Sequence, residues 1–179
     1  MTIIKQLNNE IMKRVFVFMT AFFLSLNIFS NDLFRVQAMY IYNFTRYVNW
    51  PESYKMNNFV IGVLGECGIV EELKCFTQGK KVGNRSISVI CFNSIAEIKQ
   101  CHILYVPNDK SEDLSKILAK VSKSNNLIVC ESQGLINAGA AISFIFTENK
   151  LKFELNSENA NKYGLTVSST LCNMAMSCN

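Results

Sequence analysis

The period of the hydrophobic pattern changes along this chain, and each change marks an element. Phe59 to Leu64 is apolar throughout apart from Gly62, and Gly65 and Gly68 follow at intervals of three. A short continuous apolar run closed by a glycine turn predicts a strand buried on both faces. Ile69, Val70, Leu73 and Phe76 then fall at helical spacing. Strand, tight turn and helix form the opening unit of an α/β fold, and the later chain repeats it. Ile87 to Phe92 reads as a second strand, followed by a short helix announced by the capping-box pair Ser94 and Glu97. His102 to Val106 is a third strand, stopped by Pro107. Asp109, Ser111, Glu112 and Asp113 start a helix carrying Leu114, Ile117, Leu118 and Val121, and Leu127 to Cys130 is a fourth strand.

Beyond these repeats the pattern changes. Ile142 to Phe146 and Leu151 to Leu155 flank Glu148-Asn149-Lys150 and predict a hairpin whose second strand alternates apolar with charged residues. Asn156 is placed to cap a helix from Ser157 to Tyr163, Gly164 to close it, and a last helix runs from Ser168 to Met176. The expected fold is a single α/β domain over residues 31–179. It has a mostly parallel sheet with helices on both faces, right-handed crossovers, and a C-terminal antiparallel hairpin with terminal helices.

The segment from Asp32 to Asn49 precedes all of this. Leu33, Val36, Tyr40, Phe44 and Tyr47 form one helical stripe, and Met39, Ile41, Tyr42 and Val48 widen it to most of the circumference. Such a helix is either sandwiched within the fold or presents one side to a partner. Trp50-Pro51 ends it, because a residue before proline avoids helical torsions. Tyr40, Arg46, Tyr47 and Trp50 are the candidate partner anchors, aromatics and arginine being the usual interface hot spots.

Residues 1–30 stand apart. Lys13-Arg14 precede an apolar run from Val15 to Phe29, and Ser30 follows. A basic start, a greasy run of about fifteen residues and a small residue after it make a secretory signal peptide. Met12 is a second candidate start, and an uncleaved N-terminal anchor is the alternative reading of the same run. The leader holds Lys5, Lys13, Arg14 and Glu10, so the 18 basic and 14 acidic residues of the 179-residue chain become 15 and 13 in the mature part. A balance so near neutral gives no electrostatic case for a nucleic-acid partner. All seven cysteines (67, 75, 91, 101, 130, 172 and 178) lie in the exported part, where an even subset is expected to pair. No Cys-x-x-Cys occurs. A crossover helix returns to the foot of the sheet, so Cys75, at the end of the first such helix, and Cys101, directly before a strand, form the candidate disulfide.

Candidate chemistry is sparse. Gly65 and Gly68 lie on a strand-to-helix turn of the kind that binds anions, but the spacing is Gly-x-x-Gly-x-x-Gly and no acidic residue ends the second strand. His102 is the only histidine, and its neighbour Cys101 points to the opposite strand face, so the two do not form a dyad. Glu71-Glu72 and Glu112-Asp113 fall in first turns of helices, where they complement the dipole. No catalytic residue, metal site or cofactor site is expected.

Several phrases in order resemble one family. They are Ala38 to Pro51, Phe59 to Gly65, Cys101 to Val106, Gly139 to Phe144, Leu151 to Asn156 and Ala160 to Leu165. Their series is similar to the YfiR family, and the resemblance spans about Val36 to Met176. It implies a small periplasmic α/β protein without known catalytic activity, which binds the periplasmic part of an inner-membrane signalling protein. In the best understood system that protein is a diguanylate cyclase, and its release raises cyclic di-GMP and favours biofilm. The resemblance also implies dimers and structural disulfides. The alternative expectation is a periplasmic small-ligand module with its pocket at the C-terminal ends of the parallel strands, near Gly65 and Gly68.

Overall fold

The computed structural model describes residues 32–54 and 58–179 and begins with helix α1 (32–47). The expected leader lies outside these residues. Helix α1 stops short of Asn49, because β1 (Val48–Asn49) is already extended and pairs antiparallel with β9 (Thr166–Val167). That two-stranded ribbon ties the end of α1 to the C-terminal part of the chain.

The remaining strands make one eight-stranded sheet: β2 (Phe59–Leu64), β3 (Lys81–Val82), β4 (Arg85–Phe92), β5 (Ile103–Val106), β6 (Leu127–Cys130), β7 (Ile142–Thr147), β8 (Lys150–Leu155) and β10 (Ser177–Cys178). Their spatial order is β10-β8-β7-β6-β5-β2-β4-β3. The five central strands from β7 to β4 are parallel, β8 returns antiparallel to β7, and β3 is an antiparallel edge on β4. The mostly parallel α/β architecture is therefore as the sequence predicts. Because β4 lies on one side of β2 and β5 on the other, the winding reverses between β2 and β5. That places a topological switch point at their carboxyl ends.

Strand alternation builds two cores. Ile61, Val63, Ile103, Tyr105, Leu127 and Val129 face one way, toward α1, α2 (Ile69–Thr77), α4 (Ser157–Lys162) and α5 (Ser169–Met174). Val60, Leu64, Leu104, Val106, Ile128 and Cys130 face the other way and meet Leu114, Ile117 and Val121 of α3 (Leu114–Val121). A strand covered on both faces has no polar side, which is why β2, β5 and β6 read as unbroken apolar runs.

Local signals mostly operate as expected. The Asn156 side chain accepts from the Asn159 amide at 2.9 Å and caps α4. Gly164 follows that helix with φ +70°, a left-handed conformation glycine adopts without strain. Ser94 departs from expectation: its side chain caps nothing, the segment Ile95–Glu97 is a single 3₁₀ turn, and the Glu97 carboxylate instead accepts from the Asn93 amide at 3.2 Å.

Candidate functional site

The inner side of α1 belongs to the core. Ala38, Ile41 and Phe44 are fully buried, and Phe44 packs edge-on against Phe153 at 5.1 Å between ring centroids. The apolar circumference of the helix is too wide for that face to absorb. Val36 and Met39 remain 38% and 42% exposed on its outer edge. Across from them the β7–β8 hairpin carries Phe146, 54% exposed. Phe146 continues the inward row of Ile142 and Phe144 past the part of the sheet that α1 covers. Its cross-strand partner is Leu151. Asp32, Leu33 and Val36 on one side and Phe146, Asn149, Lys150 and Leu151 on the other enclose an open groove of about 560 Å³.

None of the four candidate anchors lines this groove. Tyr40 is half-buried and donates from its hydroxyl to the Leu151 carbonyl at 3.2 Å, which ties the helix to the hairpin. Arg46 is exposed on the same helix. Tyr47 and Trp50 are half-buried and pack against the core, and the Trp50 indole N–H donates to the His102 carbonyl at 3.1 Å. Leu33, Val36, Met39, Phe146 and Leu151 were not singled out from the sequence as surface residues. The available signal was the row itself: Ile142, Phe144 and Phe146 share one strand face, and Phe146 is the member beside the hairpin turn, where cover ends.

At the carboxyl ends of the strands, Gly65 makes the expected tight turn with φ +81°. The space above Gly68 is taken. A Cβ there would lie 2.7 Å from two ring carbons of Phe34, so α1 sits where a ligand would approach the start of α2. Deeper in this crevice the Tyr105 hydroxyl donates to Gln37 Oε1 at 3.0 Å, a second contact that seats α1 on the switch point. A neighbouring hollow of about 490 Å³ is lined by Glu66, Cys67, Glu71, Lys74 and Cys91. Its lysine already pairs with Glu71 at 2.9 Å, so the carboxylates there disfavour an anion.

At the opposite end, His102 is a hub of packing. Its ring stacks on Phe59 at 4.3 Å and meets Trp50 and Tyr54 edge-on. Burial, with the Arg85 charge beside it, lowers its pKa to about 4, so it is neutral at physiological pH. Next to it, the Cys101 carbonyl accepts from the Tyr54 hydroxyl and from Asn126 Nδ2, each at 2.6 Å.

The expected Cys75–Cys101 disulfide does not form; both thiols are free. Cys75 is exposed on α2, which covers one face of the sheet, whereas Cys101 is buried in the core on the other face. The chain was correctly expected to return to the foot of the sheet, but on the wrong side for bridging. The bridge present joins Cys172 and Cys178, fastening α5 to β10. Burial pushes the thiols of Cys101 and Cys130 up to about 12 and that of Cys67 to about 11, so none of the three is a ready thiolate. Among the described residues no three His, Cys, Asp or Glu side chains converge to hold a metal ion, and no helix is long and apolar enough to cross a membrane.

Comparison with known proteins agrees with this architecture. A crystal structure titled as the ABC domain in complex with L-Trp from Streptococcus pneumonia superposes with a TM-score of 0.52 at 14% identity. The match covers 67% of this chain and 55% of that one, so this chain spans little more than half of its length. At that identity the likeness concerns the fold alone. No curated protein matches the sequence. The model of the YfiR/HmsC-like family matches residues 34–176, from the first core turn of α1 to the last residues before β10, and the chain belongs to that family.

Proposed function

We propose that the protein is an exported, periplasmic regulator that acts by binding. It covers the periplasmic face of an inner-membrane signalling protein, such as a diguanylate cyclase, and so restrains cyclic di-GMP and biofilm signalling. Family membership supports the regulatory class. The observation that carries the surface assignment is the groove between Val36 and Phe146, both exposed, with exposed Met39 on the same helix. Large apolar side chains clustered at the surface are costly in water and characteristic of interaction sites. An apolar segment of the receptor lying in the groove would hold the receptor in one of its two states. Tyr40 hydrogen-bonds to Leu151, one of the groove residues, and Arg46 extends the exposed surface along the helix, whereas Tyr47 and Trp50 pack into the core away from the groove. The small-ligand reading near Gly65 and Gly68 is weaker, because Phe34 fills the space above Gly68.

The test is genetic and biochemical together. Cells lacking the protein are expected to show raised cyclic di-GMP, restored to the lower level by the wild-type chain. Val36→Asp/Met39→Asp is expected to reach the periplasm in equal amount and fail to restore it. Full restoration by that variant would reject the groove, and an unchanged cyclic di-GMP level in the deletion would reject the cyclase.

A further inference from the structure

The two-residue strand β3 shields only the start of β4, where it pairs with Arg85 and Ser86. On the other side β4 is bonded to β2 from Ile87 to Phe92. The outer side from Ser88 to Phe92 therefore has no strand against it among the described residues. The Gly65 amide donates to the Phe92 carbonyl at 2.7 Å, so Phe92 turns its backbone groups toward β2. Backbone groups alternate in direction along a strand, which turns the N–H and C=O of Val89 and Cys91 outward. Lysine on an edge strand commonly guards a sheet against unwanted pairing, and Lys81 does so beside Ser86. Ser88 to Phe92 carry neither a charge nor a proline to the same end, and Ile90 is 41% exposed.

Beside this edge lies a hollow of about 360 Å³, lined by Ile87 and Val89 of β4 and by Lys74, Lys80 and Lys81, with no carboxylate in its walls. Lys74 is paired with Glu71 at 2.9 Å, whereas Lys80 lies over the Phe76 ring and Lys81 has no ion-pair partner among the described residues. We propose that the outer edge of β4 takes an extended segment of another protein as an added strand, with an acidic side chain of that segment seated in the lysine hollow. The edge supplies main-chain pairing and the hollow supplies selection. A residue placed opposite Val89 shares its face of the sheet, so its side chain enters the hollow that Val89 lines. Glu66 and Glu71 line a separate hollow beside Cys91, which sets the acidic position at the Val89 end. A second copy of this chain fits the edge less well. Residues 73–96 hold Lys74, Lys80, Lys81 and Arg85 and no acid, so a β4 pairing with β4 brings no carboxylate to the lysines. The edge lies across the sheet from the β7–β8 hairpin, beyond β6, β5 and β2, and strand addition there is independent of the groove and of the regulatory reading.

Amide hydrogen exchange, followed by NMR in the ¹⁵N-labelled exported protein, tests this. Without peptide, Val89 and Cys91 should exchange rapidly, and Ser88, Ile90 and Phe92, which face β2, slowly. A capped synthetic peptide, Thr-Val-Thr-Glu-Thr-Val-Thr, should slow Val89 and Cys91 saturably. Replacing its glutamate with lysine should weaken that protection roughly fivefold or more, the loss of two exposed charge pairs. Lys80→Glu/Lys81→Glu should reverse the preference between the two peptides. Flanking the glutamate with prolines keeps the charge but prevents pairing, and should abolish protection. Slow exchange of Val89 and Cys91 in the free protein, no protection by the glutamate peptide, or equal protection by the lysine or proline peptide would overturn the proposal. Protection that grows with protein concentration alone would overturn it too, by giving the edge to a second copy.

Discussion

Replacing Phe44 with alanine tests whether α1 is a built-in part of the domain or an arm laid on its surface. Phe44 is fully buried and sits at the centre of an aromatic cluster. Its ring is 5.1 Å from Phe153, edge-on, and 6.2 Å from both Tyr40 and Phe144. Removing a buried phenyl ring loses its transfer free energy and leaves a cavity, together about 3–5 kcal/mol. Neighbours on β7 and β8 are locked by sheet pairing and cannot collapse far into the gap, which favours the upper half of that range. For a domain of this size the loss corresponds to a fall in Tm of roughly 6–20 °C. The assay is urea denaturation of the mature chain followed by circular dichroism, with thermal melting alongside. A double-mutant cycle with Phe153→Ala should return a coupling of about 1 kcal/mol for the edge-on pair. A loss below about 1 kcal/mol for Phe44→Ala would refute the packing of α1, because so small a change is typical of surface positions. The proposed docking stripe on its outer edge would then lack a rigid support.

Other expectations follow from the same contacts. His102 takes a proton in the folded state only near pH 4, whereas the unfolded chain does so near 6.5. Between those values the unfolded state holds more protons, so stability should fall as pH drops from about 6.5 toward 4, by up to roughly 3 kcal/mol. Denaturation curves across that window check this, and His102→Asn should flatten this part of the pH dependence. Peptide mapping without reductant should recover Cys172 joined to Cys178, and Cys172→Ala should cost about 2 kcal/mol for so short a loop; a peptide linking Cys75 to Cys101 would contradict the arrangement. Asn156→Ala removes the side-chain cap of α4 and should cost about 1 kcal/mol in the same denaturation assay.

What the sequence revealed depends on how far each signal reaches. The run Phe59 to Leu64 was legible because a strand buried on both faces must be apolar along its length, whatever its neighbours. The hairpin at Glu148 and Asn149 and the cap at Asn156 were legible because turns and caps are made by residues adjacent in sequence. The β1–β9 ribbon and β10 were not, since two-residue strands have no periodicity and exist only through partners more than 20 residues away. Cysteine pairing failed for a related reason. Cys75 and Cys101 were assigned to the right end of the sheet, but the face each takes depends on side-chain direction in three dimensions. The over-wide stripe of α1 left open whether the helix is sandwiched in the fold or turns one side outward, and in the structure it buries Phe44 while leaving Val36 exposed. It could not say that Phe44 would be the buried contact and Val36 the exposed one, because that division is set by where the hairpin stops covering the helix.

The central claim is that the outer edge of α1 and the hairpin face the partner, and site-specific photocrosslinking in the envelope tests it most directly. A photoreactive residue at Val36 or Phe146 should form an adduct with one inner-membrane protein, while the same residue at Lys116, exposed on the α3 side, should not. Adducts formed only from Lys116, or none from Val36 and Phe146 in folded, exported protein, would contradict it.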